Sequence, residues 1–137
     1  MGPDKDVSAK VVSDVPIAAE RPQYQKYHGF AVDGHNVVGA SSPMKKWHFA
    51  EGTTVNGFEE RITLQNPGSE SAIVEVDYYT EEAGALPTKT IAIPTGTRLT
   101  VYVNDHAGPG YGLSCHLRVL TGPPVSVERP MYFDYRY

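Results

Sequence analysis

Apolar and polar side chains alternate along most of this chain, and each alternating segment is bounded by turn residues. Residues 58–65 set Phe58, Ile62 and Leu64 on one face and Glu59, Arg61, Thr63 and Gln65 on the other, before Asn66-Pro67-Gly68-Ser69 turns the chain. Residues 72–79 oppose Val74, Val76 and Tyr78 to Ile73, Glu75, Asp77 and Tyr79, and Glu82-Ala83-Gly84 marks the next turn. Ile91 and Ile93 close a third strand at Pro94-Thr95-Gly96, and Leu99, Val101 and Val103 alternate in a fourth. Leu113, Cys115, Leu117 and Val119 form a fifth, which Gly122-Pro123-Pro124 separates from a last run at 125–135. Val37-Val38 and Trp47-His48-Phe49-Ala50 supply two more upstream. No window carries a 3.6-residue period of helical length. Seven or more short strands at roughly ten-residue spacing predict an all-β, immunoglobulin-like antiparallel β-sandwich. Its expected core is Trp47, Phe49, Phe58, Ile62, Leu64, Val74, Val76, Tyr78, Ile91, Ile93, Leu99, Val101, Val103, Leu117 and Val127.

A segment near the start returns near the end. Pro16-Ile17-Ala18-Ala19-Glu20-Arg21-Pro22-Gln23-Tyr24 recurs as Pro124-Val125-Ser126-Val127-Glu128-Arg129-Pro130-Met131-Tyr132 at an offset of 108, and Tyr27 meets Tyr135 at the same offset. Gly2-Pro3 and Val7-Ser8-Ala9-Lys10-Val11 match Gly108-Pro109 and Leu113-Ser114-Cys115-His116-Leu117 at an offset of 106. The difference falls at a turn, where length changes are tolerated. Residues 28–137 are therefore expected to hold a complete unit, and residues 1–27 a spare copy of the closing strand pair of a preceding one. Such a pair without a sheet is unstable in water, so it is expected at a sheet edge or between units.

The motifs Gly34-His35-Asn36-Val37-Val38-Gly39-Ala40, Trp47-His48-Phe49-Ala50-Glu51-Gly52, Leu64-Gln65-Asn66-Pro67-Gly68 and Glu128-Arg129-Pro130-Met131-Tyr132-Phe133 resemble an uncharacterised tandem repeat of prokaryotic secreted and cell-surface proteins. The resemblance implies an extracellular or cell-surface setting, as a stalk or adhesion module often found beside secreted enzymes, and implies no activity. Relatives often carry two Cys per unit, whereas this chain has only Cys115, so a disulfide present elsewhere is absent here.

Length and charge narrow the function classes. The 137 residues suffice for one domain with a core and an appendage, and not for a second catalytic domain. A net charge of −4 gives no basis for binding nucleic acid or an anionic membrane. No apolar run approaches the ~18 residues of a membrane span. One Cys leaves no internal disulfide framework or multi-Cys metal site.

The reactive residue types do not assemble into a recognised frame. Cys115 and His116 are neighbours on a strand, point to opposite faces and cannot form a dyad; Cys115 matches Ala9 in the spare copy, as a small core slot would. Five His, at 28, 35, 48, 106 and 116, lack the spacings that pre-set metal geometry, and neither Asp33-Gly34-His35 nor Asp105-His106 completes a ligand set. Gly108-Pro109-Gly110-Tyr111-Gly112 precedes a strand, not the helix a phosphate loop needs, and reads as a turn. Ser41 and Ser114 lack a nucleophile elbow. Glu59-Glu60 and Glu81-Glu82 are sequence neighbours and do not converge. No cofactor, metal or catalytic residue is therefore expected.

Two features remain. Arg129 shares parity with Val125, Val127 and Met131, so it points inward and needs a partner, for which Glu51 is the expected choice; the alternative is a bulge at Pro130 that turns Arg129 to solvent. Tyr79, Tyr102, Tyr132 and Tyr135 have outward parity or crowd the C-terminus, forming a candidate surface for sugar rings or a neighbouring domain. The expected function is a non-catalytic structural or adhesion repeat module whose partners are neighbouring units or further copies of itself, associating head to tail by strand addition. The alternative is a carbohydrate-binding accessory of a secreted hydrolase that uses the exposed Tyr.

Overall fold

The computed structural model describes residues 5–27 and 31–133. Contacts divide the chain into two compact units, 1–42 and 43–137. The first contains a hairpin, β1 (Glu20–Tyr27) against β2 (Ala31–Val38), paired antiparallel from Glu20–Val38 to Tyr27–Ala31. Residues 5–19 adopt no strand or helix. The strand that holds Val37-Val38 lies in this first unit.

The second unit is an antiparallel β-sandwich. One sheet is built on β4 (Phe58–Gln65), with β8 (Arg98–Tyr102) on one side and β10 (Ser126–Glu128) and β11 (Met131–Phe133) on the other. The other runs β3 (Lys46–Phe49), β9 (Leu113–Thr121), β5 (Ala72–Thr80), with β6 (Gly84–Ala85) and β7 (Lys89–Ile93) sharing the far edge of β5. The first strand of the sandwich therefore pairs with β9, and the last pairs with β4. In immunoglobulin domains the first strand lies beside the second and the last shares a sheet with the sixth, so the two terminal strands have exchanged sheets here.

The alternating residues meet between the sheets as expected. Ile62, Leu64, Val74, Val76, Tyr78, Ile93, Val103, Leu117 and Val127 are buried, and Trp47, Phe49, Ile91 and Val101 pack against them. Ala72, Leu113, Cys115, Val119 and Val125 complete the core. Leu99 departs from expectation: it shares the inward face with its cross-strand partner Leu64, but β8 is an edge strand and Leu99 is 37% exposed. Phe58 is half-buried, stacked on Phe133. The fourth predicted strand ends at Tyr102, because Val103–His106 form a single helical turn, α1, closed by the Ala107 N–H on the Val103 carbonyl (2.8 Å). Asn104 on that turn accepts from the Glu60 N–H at 3.0 Å and donates to the Phe58 carbonyl at 2.8 Å, so one side chain extends the ladder where β8 stops.

Pro130 makes no bulge. Ser126–Glu128 oppose Gln65–Thr63, and Met131–Phe133 oppose Glu60–Phe58 in the same register, with the Arg61 N–H bonded to the Pro130 carbonyl at 2.9 Å. Proline only removes one donor from an otherwise continuous line. The strands whose sequences residues 7–11 and 16–24 resemble, β9 and β10–β11, lie in different sheets and do not bond to each other.

Candidate functional site

Phe49, Gly52 and Arg129, drawn from two of the motifs, meet Glu60 inside the sandwich. Glu60 on β4 is fully buried, because it shares parity with Ile62 and Leu64. Its Oε2 accepts the Thr53 N–H at 2.7 Å, and its Oε1 lies 3.8 Å from Nη1 of Arg129. Arg129 does point inward, but its partner is Glu60 and not Glu51, which is exposed on the loop after β3. The pair is diagonal across antiparallel strands, since Arg129 stands opposite Ile62 in the shared register. The guanidinium also sits over the Phe49 ring, 5.8 Å from its centroid. Gly52 passes so close that a Cβ there would lie 2.6 Å from Oε1 and 2.8 Å from Cδ of Glu60.

The W-x-F-A-E-G and E-R-P motifs thus describe one feature, a buried carboxylate joined to the closing strand and roofed by a glycine. Burial pushes the Glu60 carboxyl up to about 7, against the opposing pull of the Arg129 charge and the Thr53 amide. Glu60 Oε1 and Arg129 Nε and Nη1 have no hydrogen-bond partner among the described residues, so the charge is held mainly by proximity. Next to this pair lie Tyr78 and Cys115. Tyr78 bonds through its hydroxyl to His106 Nδ1 at 2.8 Å, and burial, then the Cys115 and Glu60 charges, raise its phenol. Burial pushes the Cys115 thiol up to about 12, so at neutral pH it is an inert thiol packed in the core. Burial, then Lys89, lowers His106. Glu60 and Tyr78 are fully buried and Cys115 is 4% exposed, so the cluster presents no reactive group to solvent.

The Tyr surface is split by the fold. Tyr102 on β8 and Tyr132 on β11 flank Arg61, whose guanidinium lies 5.4 Å and 5.2 Å from their ring centroids and pairs with Glu59 at 3.0 Å. Both Tyr are half-buried, and Tyr79 stands on the other sheet, 46% exposed. Tyr135 lies outside the described residues. So do His28 and the side chain of Asp33. Among the described residues no three His, Cys, Asp or Glu side chains converge to hold a metal, and no helix is long and apolar enough to cross a membrane. His48 and His116 stack across β3 and β9 with centroids 4.3 Å apart, and His116 lies 3.7 Å from Asp77.

Sequence reasoning missed Glu60, Asn66 and Thr54, all buried and polar. Glu60 carried a signal, its parity. Thr54 pins the glycine-rich loop, donating to the Gly108 carbonyl at 2.8 Å and accepting the Tyr111 N–H at 3.1 Å. Its importance appears only once the loop is folded over it.

The fold and this site define the class: a small antiparallel sandwich closed by an internal ion pair. No family model matches the chain, and neither does any curated protein. Among solved structures it is similar to the Anabaena sensory rhodopsin transducer, with a TM-score of 0.55 and 21% identity over 66% of this chain and 99% of that one. It is also similar to Thermotoga maritima 1070, with a TM-score of 0.55 and 16% identity over 66% of this chain and 94% of that one. At these identities the likeness speaks for the fold alone.

Proposed function

We propose that this chain is a non-catalytic β-sandwich module that works by contact, one unit of a repeating array on a secreted or cell-surface protein. The observation that carries this reading is the duplication of Pro16–Tyr24 as Pro124–Tyr132: two copies of a closing strand accompany one sandwich. The Glu60–Arg129 pair supports it, because Arg129 of the closing motif and its fully buried partner hold the closing strand in place. Neighbouring units or further copies of this chain are the partners, met through the first 42 residues. Light-scattering molar mass tests this on the full chain and on residues 43–137. Concentration-dependent association lost with residues 1–42 is expected, and identical monomers would reject the reading.

One observation favours a second reading. Tyr102 and Tyr132 gather around Arg61 on the outer face of one sheet, a polar-aromatic surface suited to sugar rings, as in an accessory module of a secreted hydrolase. Retention on insoluble polysaccharide that is lost in Y102A/Y132A would select this carbohydrate-binding role over a spacer.

A further inference from the structure

Resting on the array reading, we propose that residues 7–25 are two donor strands that close a neighbouring sandwich of this same kind, one strand entering each sheet, with Arg21 reaching the neighbour's counterpart of Glu60.

Three independent features converge on this. The first is which positions keep their apolar character. In the sandwich, Leu113, Cys115 and Leu117 of β9 are 5%, 4% and 1% exposed, and Val125 and Val127 of the closing line are 0% and 3% exposed. The copy places Val7, Ala9, Val11, Ile17 and Ala19 at those positions, apolar at every one. Of its losses, Gln23 for Met131 and Gln25 for Phe133 fall where the sandwich is not dry, Met131 being half-buried and Phe133 50% exposed, and Ser13 for Val119, 8% exposed, falls at the end of β9 beside the turn where the offset changes. In this chain Val7, Val11 and Ile17 instead stand 49%, 64% and 57% exposed, an apolar series that covers nothing among the described residues.

The second is topology. β9 lies between β3 and β5, whereas β10–β11 lies on β4 in the opposite sheet. A copy of both strands cannot satisfy itself as a hairpin, and residues 5–19 adopt no regular structure. What satisfies both strands is a sandwich that supplies counterparts of β3, β4 and β5.

The third is the direction of the backbone. In a strand, the N–H and C=O of one residue point to one edge and those of the next residue point to the other. The Ala19 carbonyl accepts the Gly39 N–H at 3.2 Å, so the odd residues of this segment face β2, and Glu20, Pro22 and Tyr24 face the opposite edge. That edge pairs with no strand among the described residues. In the copy that closes the sandwich, Pro130 is the residue whose carbonyl bonds β4, at Arg61. Pro22 is its match, so β1 is open along the edge that its duplicate uses. Arg21, one residue earlier, then projects inward as Arg129 does.

The test rebuilds the missing acceptor in front of the full chain. Residues 43–107 are fused directly ahead of Gly2, because Ala107 precedes Gly108 at the matching place. Amide hydrogen exchange is read at Val7–Val11 in the fusion and in the chain itself. Slowing by about a hundredfold or more in the fusion, towards the rates of Leu113–Leu117, is the expected result. In the fusion R21E should restore fast exchange at Val7–Val11, while leaving exchange at Leu113–Leu117 unchanged. Equally fast exchange in fusion and chain, including the case in which the added residues stay unfolded, overturns the proposal, as does protection insensitive to R21E. Association through residues 1–42 combined with unprotected Val7–Val11 would leave the array reading standing and remove the donor strands.

Discussion

Glu60 carries a charge that the interior of the sandwich disfavours, and this gives the protein an unusual dependence on pH. Its folded value of about 7 lies above the ordinary 4.5, so the folded protein holds the proton more tightly than the unfolded chain. The resulting stabilisation is complete below about pH 4.5 and is lost as pH climbs through about 7. At about 1.4 kcal/mol per pH unit between 4.5 and about 7, the full loss amounts to roughly 3–4 kcal/mol. Urea unfolding should show wild type weakening between pH 5 and pH 8 and E60Q changing much less; parallel curves would refute the assignment. R129M removes the cation that faces this carboxylate, and the cost should be larger at pH 8, about 3 kcal/mol, than at pH 5, where Glu60 is already protonated. At Gly52 an added methyl meets a carboxylate anchored by Thr53 and Arg129, so G52A should lower stability by about 1–3 kcal/mol in the same assay. Parity in the sequence placed Arg129 inside correctly. It could not name the partner, because spacing along one strand reports which face a residue takes and not which strand lies beside it. Glu51 is near Phe49 in sequence; Glu60 is near Arg129 in space, through a strand pairing that alternation does not encode.

Strands were the legible part of the chain, and their ends and neighbours were not. Alternation located β4, β5, β7, β8 and β9 because each has one face against the core. It carried Leu99 and Val103 into one strand, since nothing in the pattern marks Tyr102 as the last residue before a helical turn or β8 as an edge. The alternative of a bulge at Pro130 is not what the register shows, because the missing donor is absorbed with no extra residue. The Asn-Pro-Gly signal predicts a turn, and the structure shows how much that turn holds. Asn66 is fully buried; its amide donates to the Glu70 carbonyl at 2.7 Å and the Ile93 carbonyl at 3.1 Å and accepts the Gly68 N–H at 3.0 Å. It therefore ties the β4–β5 turn to the end of β7. N66A strands those groups without partners and should cost about 2–3 kcal/mol in chemical denaturation, more than an exposed turn residue would. At the β9–β10 turn, Gly122 has φ 84° and would press a Cβ to 2.7 Å from the Ala72 Cα, so G122A should be as damaging.

At the scale of the whole chain, backbone pairing is distributed unevenly. From Phe58 to Phe133 most of the backbone lies in ladders or is tied by turns, as Asn66 and Thr54 tie theirs. Residues 5–18 lie in no ladder, and their apolar side chains are exposed. A protease needs an extended stretch free of its own hydrogen bonds, so cleavage follows local opening and not the mere presence of a basic residue. Trypsin therefore separates the two situations cleanly. Lys5 and Lys10 lie in the unpaired stretch, whereas Arg61, Lys89, Arg98 and Arg118 lie in strands of the sandwich. Mass spectrometry over a time course should show the first cuts after Lys5 and Lys10, with a fragment containing residues 58–133 persisting after the first unit has been trimmed. Early cutting at Lys89 or Arg98 would mean that the edge strands open as readily as the unpaired segment, and the sandwich would then not be the self-sufficient body on which the repeat reading depends.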